Sequence, residues 1–410
     1  MLITNIKYLI NVREENKLLR GNDLKHLPIL ENAFLKIKDN VIEEYGVMAA
    51  LKEDDFKQEI YDAKQASVLP TWCDSHTHIV FAASRENEFL DKINGLSYAE
   101  IAAKGGGILN SAKKINETSE EVLIALAQTR LNELIQLGTG AIEIKSGYGL
   151  SVEGELKMLR VIQQLKSQNK IPIKATFLGA HAFPELYKEN RIAYIDLIIN
   201  EMLPKIAEEN LADYIDVFCE NGFFTQKETE QICNAGIQFG LKPKIHANQL
   251  NISGGVQAGF NTNAISVDHL ETIGYDEIQI LSKENAPIAT LLPSCSFFLR
   301  MQYAPARTLI NNNAAIALAS DYNPGSSPSG NMNFVISLAC IQQKMLPEEA
   351  INAATINGAY AMEVQNEVGS ISKGKKANLI FTKTIPSIAY LPYSFGNNCI
   401  DKVMINGSFI

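Results

Sequence analysis

The chain is poor in the cysteine patterns of secreted proteins. Six cysteines lie scattered at 73, 219, 233, 295, 340 and 399, with no C-x-x-C pair. Such scatter argues against a disulfide framework and is expected of reduced thiols in a cytoplasm. No stretch approaches the ~20 consecutive apolar residues of a membrane span. The opening Met1-Leu2-Ile3-Thr4-Asn5-Ile6-Lys7 lacks the basic region, apolar segment and cleavage site of a signal peptide, so a cytoplasmic location is expected. Positive charge is also short. A net charge of -9 argues against nucleic acid or an anionic membrane as the main partner. Internal repeats and low-complexity segments are absent. What is present, 46% hydrophobic and 20% charged residues over 410 positions, is a globular composition. It suits one large domain plus a smaller one, or two ordinary ones.

Residues 1 to 65 read as short strands joined by turns, as in Ala33-Phe34-Leu35-Lys36-Ile37-Lys38, Asp39-Asn40 and Val41-Ile42-Glu43-Glu44-Tyr45. From Val68 the texture changes. Short apolar runs at 68–74, 139–146, 173–178, 214–219, 243–247, 264–269, 287–292 and 314–320 alternate with helical patterns such as 120–137, 153–167, 191–209 and 227–239. Eight strands alternating with helices predict a (β/α)8 TIM barrel, although an open doubly wound sheet gives a similar string. After Met362 strands return at 377–382 and 402–405, with Asn406-Gly407 as a tight turn. Two strand-rich ends, each too small to bury a core alone, are expected to meet. The expected division is a composite β-sandwich from 1–66 and 365–410, and an α/β barrel catalytic domain from 67–364.

The histidines sharpen this reading. Of the six, at 26, 76, 78, 181, 246 and 269, five fall at or just after the end of a predicted barrel strand. Asp321 directly follows the eighth. Barrel enzymes carry their chemistry at those strand ends. His76 and His78, two apart on one strand, project to the same face. A metal site from His76, His78, His246 and Asp321 would suit Zn2+ or Fe2+ and leave room for a water. Asp321 could also serve as general base, and His269 could polarise a carbonyl or shuttle protons, the bland alternative being a core histidine. Lys145 admits a carbamylated, two-metal variant. The run Gly105-Gly106-Gly107-Ile108 has neither the preceding strand nor the following Gly-Lys-Ser/Thr of a phosphate loop, and a mobile loop near the site is expected.

These residues resemble the amidohydrolase superfamily and, within it, the imidazolonepropionase family. The superfamily pattern rests on His76-x-His78, His246, His269 and Asp321. The narrower likeness rests on Asp74-Ser75-His76-Thr77-His78-Ile79-Val80-Phe81 with Arg85, on Glu143-Ile144-Lys145-Ser146-Gly147-Tyr148-Gly149-Leu150, on Leu178-Gly179-Ala180-His181, on His246-Ala247-Asn248-Gln249-Leu250, and on Ser320-Asp321-Tyr322-Asn323-Pro324-Gly325-Ser326. It runs from about residue 30 to the end and favours one metal over two. The resemblance implies one divalent or trivalent ion per chain, zinc or iron, and hydrolysis of 4-imidazolone-5-propanoate to N-formimidoyl-L-glutamate. It implies that Arg85 holds the propanoate, that Tyr148, His181 and Gln249 bond the ring and side chain, and that Asn323, Gly325 and Ser326 line the product's site. It also implies catalytic roles for His269, Asp321 and Gln249. A small-molecule substrate is implied, with no nucleic acid and no membrane; a homodimer is compatible with it.

Three departures stand out. Thr71 replaces a common glycine, Asn378 replaces the usual aspartate of the terminal domain, and Gln249 stands where some relatives carry glutamate. Glutamine can orient a substrate but takes no proton at neutral pH. Two competing readings are another cyclic amidase or deaminase of the same superfamily, and a non-catalytic scaffold. An arginine facing the site would favour an anionic substrate over a neutral base, and retention of every metal-type residue disfavours the scaffold.

Overall fold

The computed structural model describes residues 1–96, 100, 104 and 106–410. Eight parallel strands form the barrel in chain order: β1 (Trp72–Thr77), β2 (Thr139–Lys145), β3 (Ile173–Ala180), β4 (Tyr214–Cys219), β5 (Lys242–Ala247), β6 (Ser266–His269), β7 (Ile288–Leu291) and β8 (Ile316–Leu318). Each is buried along nearly its whole length, as parallel strands covered by helices must be. The circle closes at the upper rim, where Asp321 N donates to the His76 carbonyl at 3.0 Å and His78 N donates to the Tyr322 carbonyl at 2.8 Å.

The connecting helices carry the expected signals. Glu120–Gln136 starts on Ser119, whose hydroxyl accepts from Val122 N, and Gln226–Gln238 starts on a Thr225/Glu228 capping box. The segment expected as one helix from 191 to 209 is interrupted. Arg191–Leu197 and Leu203–Glu208 flank a π turn at Ile198–Met202. Pro204, which lacks an N–H, stands at the start of the second piece and accounts for the break in the i→i-4 ladder.

The two ends of the chain build one further eight-stranded sheet. Its order is Ser408–Phe409, Ile400–Ile405, Leu379–Thr382, Val68–Pro70, Leu2–Ile10, Ile29–Lys38 and Val41–Val47, with Ile60–Asp62 beside Leu2–Ile10. Ile3, Ile6, Leu9, Leu35, Val68, Leu379, Phe381 and Met404 share a separate apolar cluster there. Val68–Pro70 therefore belongs to the terminal sheet and not to the first barrel strand. Leu69 pairs antiparallel with Ile380, Thr71 N still donates to Asn378 O at 3.1 Å, and Trp72 N already donates to Gly138 O at 2.9 Å. The chain changes sheets between Thr71 and Trp72. Asn378, beside this crossover, donates to Gly140 O at 3.2 Å and accepts from Asn406 N at 2.8 Å, linking β2 to the terminal sheet.

No helix among the described residues is long and apolar enough to cross a membrane.

Candidate active site

Four histidine rings meet where the strands end. His76 and His246 have centroids 4.4 Å apart, His76 and His78 5.3 Å, and His246 and His269 5.4 Å. One nitrogen each of His76, His78 and His246 lie within 4.8 Å of one another, and His76, His269 and Asp321 form a second such group. Asp321 Oδ1 is 3.5 Å from His76 Nε2 and 3.6 Å from His78 Nε2. The backbone turns sharply here. His269 has φ 87° and Asp321 φ 55°, left-handed values that ordinary residues hold only when their surroundings enforce them. At Asp321 the enforcement is visible, because its N–H closes the barrel onto His76.

Beneath the rings lies a layer of buried charge. Asp268 Oδ2 sits 2.6 Å from His76 Nδ1, and Asp216 Oδ2 sits 3.0 Å from His246 Nδ1. The Asp268 carboxylate fixes a proton on His76 Nδ1 and so turns the lone pair on Nε2 inward, the arrangement that orients imidazole ligands. Asp216 instead accepts from the backbone N of His246 at 3.1 Å and meets the ring only as a close charge contact. His76 Nε2 is buried and has no hydrogen-bond partner. A polar atom in that condition costs free energy unless something binds it, so the donor set fits a divalent cation. Burial first, and then the neighbouring cations and imidazoles, hold His76 and His78 well below the usual histidine range, in the neutral form that ligates. Burial opposes the charge on Asp216 too, but His246 and Lys145 outweigh it and keep that group ionised.

Lys145 is not available for carbamylation. Its ammonium bonds Glu143 Oε1 at 2.5 Å and Asp216 Oδ2 at 2.8 Å, with Asp268 Oδ2 at 3.7 Å. Burial would strip its proton; the three carboxylates more than restore it, raising its pKa. Lys244 pairs with the other oxygen of Glu143.

A cavity of about 80 Å3 reaches the rings and widens outward into one of about 520 Å3. Tyr148, His181, Gln249, Asn323 and Ser326 line both. His181 Nδ1 contacts the Gly147 carbonyl at 3.0 Å, and burial first, with His246 adding to it, lowers its pKa to about 3, so it stays neutral. Gly147 has φ 107°, and a Cβ there would lie 2.9 Å from His181 Nδ1. Gln249 reaches Cys295 Sγ at 3.5 Å. The loop carrying Gln249 is tied down by Glu220, which accepts from Leu250 N at 2.8 Å. Asn323 spends its side chain on its own loop: Oδ1 accepts from Gly325 N and Ser326 N at 2.8 Å, and Nδ2 donates to Asp321 O at 2.6 Å. His269 Nδ1 lies 3.4 Å from Glu271 Oε1; burial would lower its pKa, but Glu271 raises it.

Arg85 and Gly325 line the outer part. Arg85 Nε donates to Glu88 Oε2 at 2.8 Å and Nη2 bonds the same oxygen, while Glu88 Oε1 accepts from Gly107 N at 2.9 Å. Of the glycine run, residue 105 lies outside the described residues. Sequence reasoning missed Glu88, Lys92, Asp216, Phe218 and Phe223. For Asp216 the signal was present: Tyr214, Asp216 and Phe218 alternate on one strand and share a face.

Comparisons agree with this architecture. Residues 67–410 match the Amidohydrolase family. The chain is 58% identical to the imidazolonepropionase of Flavobacterium johnsoniae, covering 100% of this chain and 99% of the other. It is 55% identical to that of Christiangramia forsetii, covering 100% of both. A guanine deaminase from C. acetobutylicum shares the fold, with a TM-score of 0.71 at 15% identity over 100% of this chain and 99% of that one. The chain belongs to the amidohydrolase family and, within it, to the imidazolonepropionases.

Proposed function

We propose that the chain hydrolyses the ring amide of 4-imidazolone-5-propanoate to N-formimidoyl-L-glutamate, using one zinc or iron ion held by His76, His78, His246 and Asp321. The carrying observation is the inward set of imidazole nitrogens, with His76 Nε2 unpartnered, at the closed end of a cavity whose outer lining holds cations. A bound divalent ion supplies a water acidified toward pKa ~7. Asp321, beside His76 and His78, takes the proton that the attacking water loses and returns it to the ring nitrogen as the C–N bond to the carbonyl carbon breaks. His269 sits across the same space, its proton affinity raised by Glu271, and donates to the carbonyl oxygen as charge builds there. Neutral His181, Tyr148 and Gln249 hold the ring by hydrogen bonds, and Gln249 orients without taking a proton. Arg85 Nη1, the part of the guanidinium that Glu88 leaves free, meets the propanoate.

A deaminase of a neutral base is the second reading. It gains nothing from the cations at the cavity's outer end. The test is the ultraviolet absorbance of imidazolonepropionate followed with and without chelator. Loss of absorbance that stops on chelation and resumes with added metal supports the proposal; indifference to the enzyme overturns it.

A further inference from the structure

Arg85 is a weaker anion trap than it looks. Two of its three nitrogens are committed to one oxygen of Glu88, and the paired charges cancel. Two turns beyond Arg85 on the helix Glu86–Ile93, Lys92 lines the same cavity. Its ammonium lies 3.5 Å from the Gly325 carbonyl and 5.8 Å from the Phe298 ring, neither of which offsets a full charge. Among the described residues the cavity lining contains Arg85 and Lys92 and no carboxylate. Gly325 is what lets the group come together: a Cβ there would stand 2.3 Å from Arg85 Nη1. Lys92 is half-buried, and burial together with Arg85 lowers its pKa. Two cations crowded into a partly dry space are relieved by an anion placed between them.

We propose that Lys92 is the residue that selects for a carboxylate on the substrate, supplying the uncompensated charge while Glu88-locked Arg85 supplies a hydrogen bond. This rests on the propanoate reading above. A propanoate tail seated against Lys92 and Arg85 Nη1 finds a net single positive charge, matched to its own. Without Lys92 the lining would be close to neutral and would hold an amide as well as an acid.

The experiment compares binding of two unreactive probes, 3-(imidazol-4-yl)propanoate and its neutral propanamide, by calorimetry on the metal-loaded enzyme. The wild type should prefer the acid by about 10- to 100-fold, the range of one charge-assisted contact. Lys92→Met should erase most of that preference without changing metal content, and Lys92→Arg should keep it within a few fold. Raising the salt should narrow the wild-type preference. Adding Glu88→Gln to Lys92→Met should restore part of it, because the Arg85 charge is then uncancelled. A wild type that binds both probes equally overturns the propanoate reading itself. A wild type that prefers the acid, with Lys92→Met doing the same, leaves that reading standing and overturns the role of Lys92. Failure of the double variant to regain any preference overturns the charge-cancelling account.

Discussion

The ammonium of Lys145 stands 2.8 Å from the carboxylate of Asp216, and that carboxylate in turn holds His246. The same ammonium faces Asp268, which holds His76. One buried lysine thus lies between the two acids that orient two of the proposed ligands. Lys145→Met would leave Glu143, Asp216 and Asp268 with Lys244 as the remaining cation in the layer. Breaking a buried ion pair costs about 3–5 kcal/mol, and loosening the supports of a metal ligand costs about 10- to 100-fold in metal affinity. Thermal denaturation and chelator competition measure the two separately. Unaltered metal affinity in a folded variant would refute the positioning role.

Arg85→Lys tests the hydrogen-bonding side of the tail site. Lysine keeps a charge but loses the planar fork that grips Glu88 while leaving Nη1 free. kcat/KM should fall by about 10- to 100-fold, mostly through KM, with the fold intact. An unchanged KM would show that the tail is held elsewhere.

His269 is proposed as a donor and not as a ligand. His269→Asn and His269→Ala should both keep their metal, while kcat drops by at least ~100-fold. Metal loss in His269→Ala would make it a ligand and move Asp321 out to the role of base alone.

Away from the site, Lys375 gives a pH signature of stability. It is buried and hydrogen-bonded to Ser370 Oγ at 2.6 Å; burial lowers its pKa to about 8. The folded chain therefore binds fewer protons than the unfolded chain between pH 8 and about 10.5. The cost of burying its charge is fully present below pH 8 and is relieved as pH rises through that window. Relative to Lys375→Met, the wild type should gain about 1–3 kcal/mol between pH 7 and 10 in urea denaturation. A constant difference across that range would rule out a buried, destabilised ammonium.

How much of this was legible in the sequence differs by residue. His76 and His78 could be read from their spacing, and the barrel from its alternating texture, because period and strand-end position are local properties. Val68–Pro70 was misassigned because an apolar run does not say which of two sheets it joins; its partner is Ile380, more than 300 positions away. Asp216 lies on an alternating strand face and Lys145 reads in sequence as a candidate metal-bridging residue, but the ion pair between them joins different strands and is not a local property of the sequence. Lys92 sits in a short amphipathic helix where a lysine ordinarily faces water. Its place against the cavity depends on the loop that brings Gly325 beside Arg85. The partial commitment of Arg85 to Glu88 was not visible either, since i and i+3 partners on a helix commonly stay exposed.

The terminal sheet sets a timetable for synthesis. Leu69 is translated early, but Ile380, its neighbour, emerges 311 residues later. At ~5–20 residues per second that is a delay of about 15 to 60 s. Through that interval the edge of Val68–Pro70 and the apolar side chains of Leu2–Ile10 stand without their carboxyl-terminal cover. Nascent chains of this protein should therefore depend on chaperone shielding until the last strands leave the ribosome, and a truncation before Leu379 should aggregate even with its barrel complete.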